Sequence, residues 1–362
     1  MTGTVMITTG GSGGHAFPGL AVAARLLAKG WQVFWLGTRD GIESRLVPQH
    51  GVDYESIRFA GVRGKGFKRL LLGPFALLSA FWQSLAIIRR RAPDVVLGLG
   101  GFVSFPGALM AVACNRPLLI HDANAVAGLA NRILAYGADR ILLGFPGALG
   151  NKHADKVEWV GNPLRAEIVA VPPPEQRFAK RHGTMSLLVV GGSLGATALN
   201  ERVPAALALL DRESRPHVVH QAGERHIDAL RRAYEEAGVE AVCLPFIDDI
   251  ARQYADADLV ICRGGALTIS ELAAVGVGSV IVPLPGAFAN EQSHNGQFLV
   301  DAGAAVMLKQ SAMTAQGLAD LLLAMNRGRL LAMAIAARRV GRTDASERVA
   351  DACIALAQRS GA

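Results

Sequence analysis

Residues 5–15, VMITTGGSGGH, and residues 187–196, LLVVGGSLGA, decide the fold. Each is a short β-rich apolar run that ends in a glycine-rich turn. Each is followed by a helical stretch, AFPGLAVAARLLAKG after the first and TALNERVPAALALL after the second. A strand that passes through glycines into a helix aims free backbone N–H groups and the positive helix end at one spot, where a phosphate would fit. Beyond the first turn the runs WQVFWLG, DVVLGLGG, RPLLIHDAN and DRILLGF alternate with helical stretches. After Pro172, Pro173 and Pro174 the series restarts with SLLVVGGS and continues through HVVHQAG, AVCLPFI, DLVICRGG and SVIVPLP. Apolar strands separated by helices imply parallel sheets covered on both faces. The restart divides the chain into two Rossmann-like α/β domains, 1–162 and 163–342, with a hinge near Gly161-Asn162-Pro163. Residues 343–362 read as a terminal helix with no strand after it, expected to pack back on the first domain. Parallel strands take ligands at their carboxyl ends, so the expected site is a cleft onto which both glycine turns open.

Composition narrows the function. The chain has 362 residues, 51% hydrophobic and 19% charged, which excludes a disordered or low-complexity protein. Its four cysteines, Cys114, Cys243, Cys262 and Cys353, stand far apart with no CxxC pair and read as reduced, buried thiols. The N-terminus lacks a basic n-region and an apolar h-region, so a cytoplasmic location is expected. The net charge of +7 suits nucleic acid, a phosphorylated substrate or an anionic membrane. Eight basic residues, Arg58, Arg63, Lys65, Lys68, Arg69, Arg89, Arg90 and Arg91, fall in one stretch without an acidic residue, leaving −1 for the rest of the chain. They bracket LLLGPFALLSAFWQSLAII, residues 70–88, in which Gly73-Pro74 is expected to break the run and leave Pro74 to Ile88 as a surface helix rather than a membrane span. Charge flanking an apolar helix fits an anionic membrane surface. Aromatic-basic interleaving and a recognition helix are absent, which argues against nucleic acid.

The glycine turns keep several readings open. The first is not a Walker A loop, since no GK[ST] follows. It fits a loose GxGxxA at Gly11, Gly13 and Ala16, but the next strand ends Leu36-Gly37-Thr38-Arg39 without the acidic residue a nicotinamide cofactor wants. The second turn, Gly191 to Ala196, offers a second anion site or simply close strand-helix packing. A third cluster, Cys262-Arg263-Gly264-Gly265, leads into Ala266 to Glu271, where the carboxylate could accept two hydrogen bonds from a ribose or merely offset the helix dipole. The one Asp-x-Asp, Asp256-Ala-Asp258, precedes its strand and reads as surface.

The set GGSGGHAFPGLAVA, GFVSFPGALMA, HDANAVAGLANRIL, VGNPLR, LLVVGGSLGA, PFIDDI, ADLVICRGGALTISELAAVG and NEQSHNG, in that order, closely resembles the MurG family. The matches run from residue 5 to beyond 340. The resemblance implies a GT-B fold of two Rossmann-like domains, no cofactor and no tightly bound metal. It implies an inverting transfer of N-acetylglucosamine from UDP-N-acetylglucosamine to undecaprenyl-pyrophosphoryl-MurNAc-pentapeptide, at the cytoplasmic face of the inner membrane. By the same resemblance Ser12, Gly13 and Gly14 lie near the acceptor pyrophosphate and the transferred sugar, and Asn124 matches the asparagine of the HEQN segment. Arg165 and Ser193 match nucleotide and phosphate contacts, and Ile247 the residue whose backbone reads the uracil. Ala266, Leu267, Thr268, Ile269, Ser270 and Glu271 match the ALTxSE helix start, with Glu271 on the ribose hydroxyls. Gln292 matches the glutamine that reads the N-acetylglucosamine. Asp122 and Ala123 replace the usual Glu-Gln, Ala125 a glycine and Gly264 a serine, and Glu291 stands where Gln or His is common.

Inversion requires the acceptor 4-hydroxyl to attack C1 in line as UDP departs, so one group must take a proton and fixed positive potential must stabilise the diphosphate. The second turn's helix end, Ser193 and Arg165 suit the second task. His15 suits the first, because histidine titrates near neutrality; it could equally bond the acceptor pyrophosphate or close the loop. The nearest enzyme alternative is a related GT-B transferase that uses another lipid acceptor, and a UDP-sugar 2-epimerase shares the two-domain layout.

Overall fold

A computed structural model describes residues 3–10, 13–59, 67–192, 195–286 and 289–360. Contacts divide the chain into two units, one made of the chain up to Arg165 with the tail from Arg342, the other Ala166–Gly341.

Seven strands build the first unit: β1 (Thr4–Thr8), β2 (Gln32–Thr38), β3 (Asp53–Ile57), β4 (Val95–Gly98), β5 (Leu118–Asp122), β6 (Arg140–Leu143) and β7 (Val157–Trp159). They pair in the order β3-β2-β1-β4-β5-β6-β7, all parallel, with Thr8 opposite Gly98 across β1 and β4. The helices between them are α1 (Gly13–Ala28), α2 (Glu43–Gln49), α3 (Phe67–Arg91), α4 (Ser104–Ala113) and α5 (Leu129–Leu134). Both faces of the central strands are buried, which is why β1, β4 and β5 read as mainly apolar runs without polar alternation.

The second unit repeats the plan with β8 (Ser186–Val190), β9 (His217–Gln221), β10 (Val242–Leu244), β11 (Leu259–Cys262), β12 (Gly278–Ile281) and β13 (Ala305–Met307), in the order β10-β9-β8-β11-β12-β13. Its helices are α6 (Ala166–Val169), α7 (Pro174–Phe178), α8 (Thr197–Ala208), α9 (Ile227–Glu236), α10 (Ile250–Asp256), α11 (Ala266–Val275), α12 (Ala289–Asp301), α13 (Ala315–Leu323) and α14 (Arg327–Val340). The last helix, α15 (Ala345–Ser360), belongs to the first unit, where Val349, Cys353 and Leu356 join Leu20, Val22 and Leu26 of α1 in one apolar cluster. Each unit is thus a doubly wound parallel sheet of Rossmann-like order.

Two expectations about α3 change. The helix runs through Gly73-Pro74 instead of starting there, so Pro74 is an interior residue. A proline removes one N–H from the ladder, and turns of Ala, Leu and Phe on its carboxyl side keep the helix going. Among the described residues no helix is long and apolar enough to cross a membrane. Phe75 (71% exposed), Leu78 (55%) and Trp82 (70%) stand at i, i+3 and i+7 on one face, while Ala80, Ile87 and Ile88 of the same helix are buried with the sheet. The basic stretch keeps its eight residues but is partly neutralised. Arg90 pairs with Glu55 at 2.8 Å and Arg91 with Asp53 at 2.6 Å, both on β3, so two of the eight cations are partnered by carboxylates outside their own stretch. Arg63 and Lys65 lie outside the described residues.

Candidate functional site

In each unit the strand order reverses at one place, between β1 and β4 in the first and between β8 and β11 in the second. Parallel sheets accept ligands at the carboxyl ends of such a pair. In the first unit Gly10 follows β1, and Gly100 and Gly101 follow β4. Gly101 has a φ of +80°, and a Cβ there would lie 2.5 Å from the Gly10 carbonyl oxygen, so the absence of side chains lets the two turns close on each other. Gly13 and Gly14 open α1, in the turn whose N–H groups have no acceptor within the helix. Ser12 lies outside the described residues.

His15, the third residue of α1, is partly buried, and its ring faces Gly100. Burial pushes its pKa below the ordinary histidine value, against the opposing pull of the nearby Leu99 backbone and the charge of Glu43. The ring is therefore neutral at pH 7. Its Nδ1 is buried with no hydrogen-bond partner among the described residues. A neutral imidazole beside an open helix end has the chemistry of a proton acceptor.

Beside it, β5 ends in His121-Asp122. Asp122 is buried and turned inward: Oδ1 accepts from the Asn124 N–H at 3.0 Å, and Oδ2 from the Gly128 N–H and Asn131 Nδ2, each at 3.0 Å. The carboxylate is thus occupied by its own turn and fixes where Asn124 stands. Burial raises its pKa and those three bonds oppose the rise. Asn131 also donates to the His121 carbonyl at 3.2 Å and approaches Gly100, which joins the β5 turn to the β4 turn. Asn131 lies inside HDANAVAGLANRIL, where its sequence signal is a strand-end carboxylate followed by an asparagine in the next helix. Arg165, beyond the boundary read from sequence, packs with the first unit, its guanidinium 5.1 Å from the Phe17 ring of α1.

In the second unit the turn after β8 holds Gly192 and Gly195, both with positive φ, and Gln221 at the end of β9 donates to the Gly192 carbonyl. Ser193 lies outside the described residues. After β11, Arg263 donates to the Val282 carbonyl at 3.0 Å and to Gln310 Oε1 at 2.8 Å, bracing the strand end. Ala266, Leu267 and Thr268 form the first turn of α11, Ile269 is buried beneath them, and Ser270 and Glu271 follow half-buried. Tyr254 of α10 donates to Glu271 Oε2 at 3.3 Å. Gln292 of α12 accepts through Oε1 from the Gly264 N–H (3.2 Å) and the Leu284 N–H (2.8 Å), so its amide nitrogen is the end that can address a ligand. Asn295 donates to the Gly264 carbonyl, so α12 holds both sides of that residue. A Cβ at Gly264 would fall 2.9 Å from the Gln292 carbonyl carbon, so the α12 backbone occupies the space a side chain would need. Ile247, in the segment between β10 and α10, is buried.

The Asp-x-Asp reading is corrected. Asp256 is exposed, but Asp258 is buried, ion-paired with Arg181 and accepting from the Ser186 N–H at 2.8 Å, because it ties the amino ends of β8 and β11 together. Among the described residues no three His, Cys, Asp or Glu side chains are grouped to hold a metal ion. A groove of about 860 Å³ lined by Ser186, Arg215, His217 and Val242 lies at the amino ends of β8, β9 and β10, the edge opposite the glycine turns.

Two domain families match this chain: the glycosyltransferase family 28 N-terminal domain over residues 5–143 and the family 28 C-terminal domain over residues 186–349. The chain belongs to glycosyltransferase family 28. A UDP-N-acetylglucosamine--N-acetylmuramyl-(pentapeptide) pyrophosphoryl-undecaprenol N-acetylglucosamine transferase of Ralstonia nicotianae is 52% identical over 98% of this chain and 97% of the relative. A protein of the same description from Aromatoleum aromaticum is 54% identical over 98% of each. The crystal structure of Acinetobacter baumannii MurG superposes with a TM-score of 0.83 at 37% identity, covering 98% of this chain and 99% of that one. The family 28 N-terminal match holds the β1 turn, His15 and Asn124, and the C-terminal match holds the β8 turn, α11 and Gln292.

Proposed function

We propose that this family 28 enzyme transfers N-acetylglucosamine from UDP-N-acetylglucosamine to the 4-hydroxyl of MurNAc in undecaprenyl-pyrophosphoryl-MurNAc-pentapeptide, with inversion, in peptidoglycan synthesis. The observation that carries the reading is identity of 52–54% over nearly the full length of both chains with proteins so described. In this reading the first unit takes the acceptor: Ser12, Gly13 and Gly14 receive its pyrophosphate, Asn124 its sugar end, and His15 the 4-hydroxyl proton. The second unit takes the donor. Ile247 reads the uracil through its backbone, Glu271 the ribose, Ser193 and the α8 end the diphosphate, and Gln292 the N-acetylglucosamine; Arg165 of the first unit is a further nucleotide or phosphate contact. The remaining residues of the α11 start, Ala266 to Ser270, supply backbone donors.

The enzyme works at the cytoplasmic face of the inner membrane. The exposed stripe Phe75, Leu78 and Trp82 meets the lipid and the nearby arginines meet its anionic headgroups. The test is UDP release from a panel of UDP-sugars with and without a lipid-linked MurNAc-peptide. Release that needs both UDP-N-acetylglucosamine and the acceptor supports the reading; release without the acceptor, or preference for another sugar nucleotide, defeats it.

A further inference from the structure

We propose that Glu43 is a positioning residue for the transfer, a carboxylate buried behind the first glycine turn to stabilise the positive charge that His15 acquires on taking the acceptor's proton. The inference rests on the reading of His15 as the base. Glu43 opens α2 and is wholly buried. Its Oε1 accepts from the Thr38 Oγ at 2.8 Å and from the Thr38 N–H at 3.2 Å, a purely accepting role that suits the ionised form. Its Oε2 is buried with no hydrogen-bond partner among the described residues. No arginine or lysine among the described residues pairs with it. A buried, half-satisfied carboxylate is costly unless its field is used.

The chain makes room for it with three glycines. A Cβ at Gly10 would lie 2.9 Å from the Glu43 Cδ and one at Gly37 would lie 2.9 Å from its Cγ, while a Cβ at Gly41 would strike the carboxylate. Gly10 is the point where β1 leaves for the first turn, so Glu43 stands directly behind the strand end that leads to His15. The other groups facing His15 are few. His121 on β5 faces it with a like charge when protonated, Leu99 and Gly100 present backbone, and Asn131 is neutral. Farther along α1, Arg25 and Lys29 are taken up by Glu347 and Asp351 of α15. Tyr54 donates to the Thr38 carbonyl and lies next to Gly37. The charge of Glu43 acts on His15 in the direction of tighter proton binding.

In the transfer the acceptor oxygen forms its bond to C1 while the C1–O bond to the diphosphate breaks, and UDP leaves with that electron pair. The hydroxyl proton ends on His15, and Glu43 holds the resulting imidazolium from behind without touching substrate, much as a buried aspartate supports the histidine of a catalytic triad. The test is kcat/KM against pH for the full-length enzyme with UDP-N-acetylglucosamine and a lipid-linked MurNAc-peptide, in wild type, Glu43→Gln and His15→Ala. Glu43→Gln is expected to keep UDP affinity, to lower the plateau about tenfold, and to move the acid limb to lower pH, because the imidazolium has lost its counter-charge. A plateau that falls with the acid limb unmoved, or no change at all, overturns the proposal and leaves Glu43 a packing residue. If Glu43→Gln does not fold, Thr38→Val serves. It strips the hydroxyl donor from Oε1, leaves the charge less shared and should move the limb to higher pH; a limb that stays in place is again a refutation. His15→Ala keeps the two failures apart: wild-type turnover there removes the base itself, whereas a lost limb there beside an unmoved one in Glu43→Gln removes only the role of Glu43.

Discussion

The two units have the same strand order around their glycine turns, yet they surround those turns with different chemistry. In the first, His15, Glu43, His121 and Asp122 all lie buried or partly buried around the ends of β1, β4 and β5. In the second, the ends of β8 and β11 are surrounded by backbone amides, by Gln221, Gln292 and Asn295, and by Arg263 locked onto carbonyls, with His226 beside Gly195 and Glu271 half-buried on α11. Titratable groups removed from water have shifted proton affinities and can move protons. Amides and carboxamides hold shape without titrating. On the proposed reading, one fold used twice separates proton transfer from recognition, and that separation can be tested.

The largest effect belongs to the first unit. His15→Ala should lower turnover by about two to four orders of magnitude with UDP affinity unchanged, measured as steady-state UDP release and as UDP binding by calorimetry. Wild-type turnover in this variant would erase the contrast between the units. Its counterpart is Glu271→Ala, which should weaken UDP binding about ten- to a hundredfold, the worth of charge-assisted hydrogen bonds to two hydroxyls, while saturated turnover stays within a few fold. Unchanged UDP affinity would take the ribose from Glu271.

Acid should act on both units, over different ranges. Burial drives His121 down to about 4 and His220, bonded to Tyr234 and Asn200, down to about 3. A lowered histidine pKa means that the unfolded chain binds the proton first. Stability is therefore complete above about pH 6.5 and falls as the pH drops toward the folded value. From pH 6.5 to 5 each of these two histidines should remove about 2 kcal/mol. Asp122 has the opposite sign: its raised pKa returns stability as the pH falls through the folded value, and it lies in the first unit. All four tryptophans, Trp31, Trp35, Trp82 and Trp159, also belong to the first unit. In urea melts, the tryptophan fluorescence midpoint should stop falling near pH 4, while the circular dichroism midpoint, which reports both units, keeps falling toward pH 3. Midpoints that move together down to pH 3 would break the comparison.

Much of this was legible in the sequence, for a physical reason. Strands buried on both faces must be apolar throughout, and turns that let backbones meet must be glycine, so VMITTGGSGGH and LLVVGGSLGA announce two doubly wound sheets. What stayed hidden depends on contacts between distant segments. Asp258 read as surface because its partner Arg181 lies 77 positions away. Asp122 read only as a departure from the usual Glu, and nothing local showed that its lone pairs turn inward to Asn124, Gly128 and Asn131. Pro74 read as a helix start because the rule is local, while the helix continues through it. Glu43 carried no motif at all; only the three glycines packed around it reveal the position.

The smallest predicted effect concerns the charge that distinguishes the outer face of the first unit. The stretch from Arg58 to Arg91 counts eight cations, but Asp53 and Glu55 of β3 partner two of them, so the field it would offer an anionic surface is weaker than the count implies. One partner of each pair, Arg90 and Asp53, is well exposed, and removing the carboxylates should cost no more than about 1 kcal/mol of stability. A freed basic residue near an anionic surface is worth about 1 kcal/mol of binding. Asp53→Asn with Glu55→Gln should therefore leave the melting temperature within a few degrees and tighten binding to phosphatidylglycerol vesicles several fold, an increase that vanishes at high salt. Equal binding before and after would mean that Arg90 and Arg91 never face the lipid, and that Phe75, Leu78 and Trp82 make the contact without them.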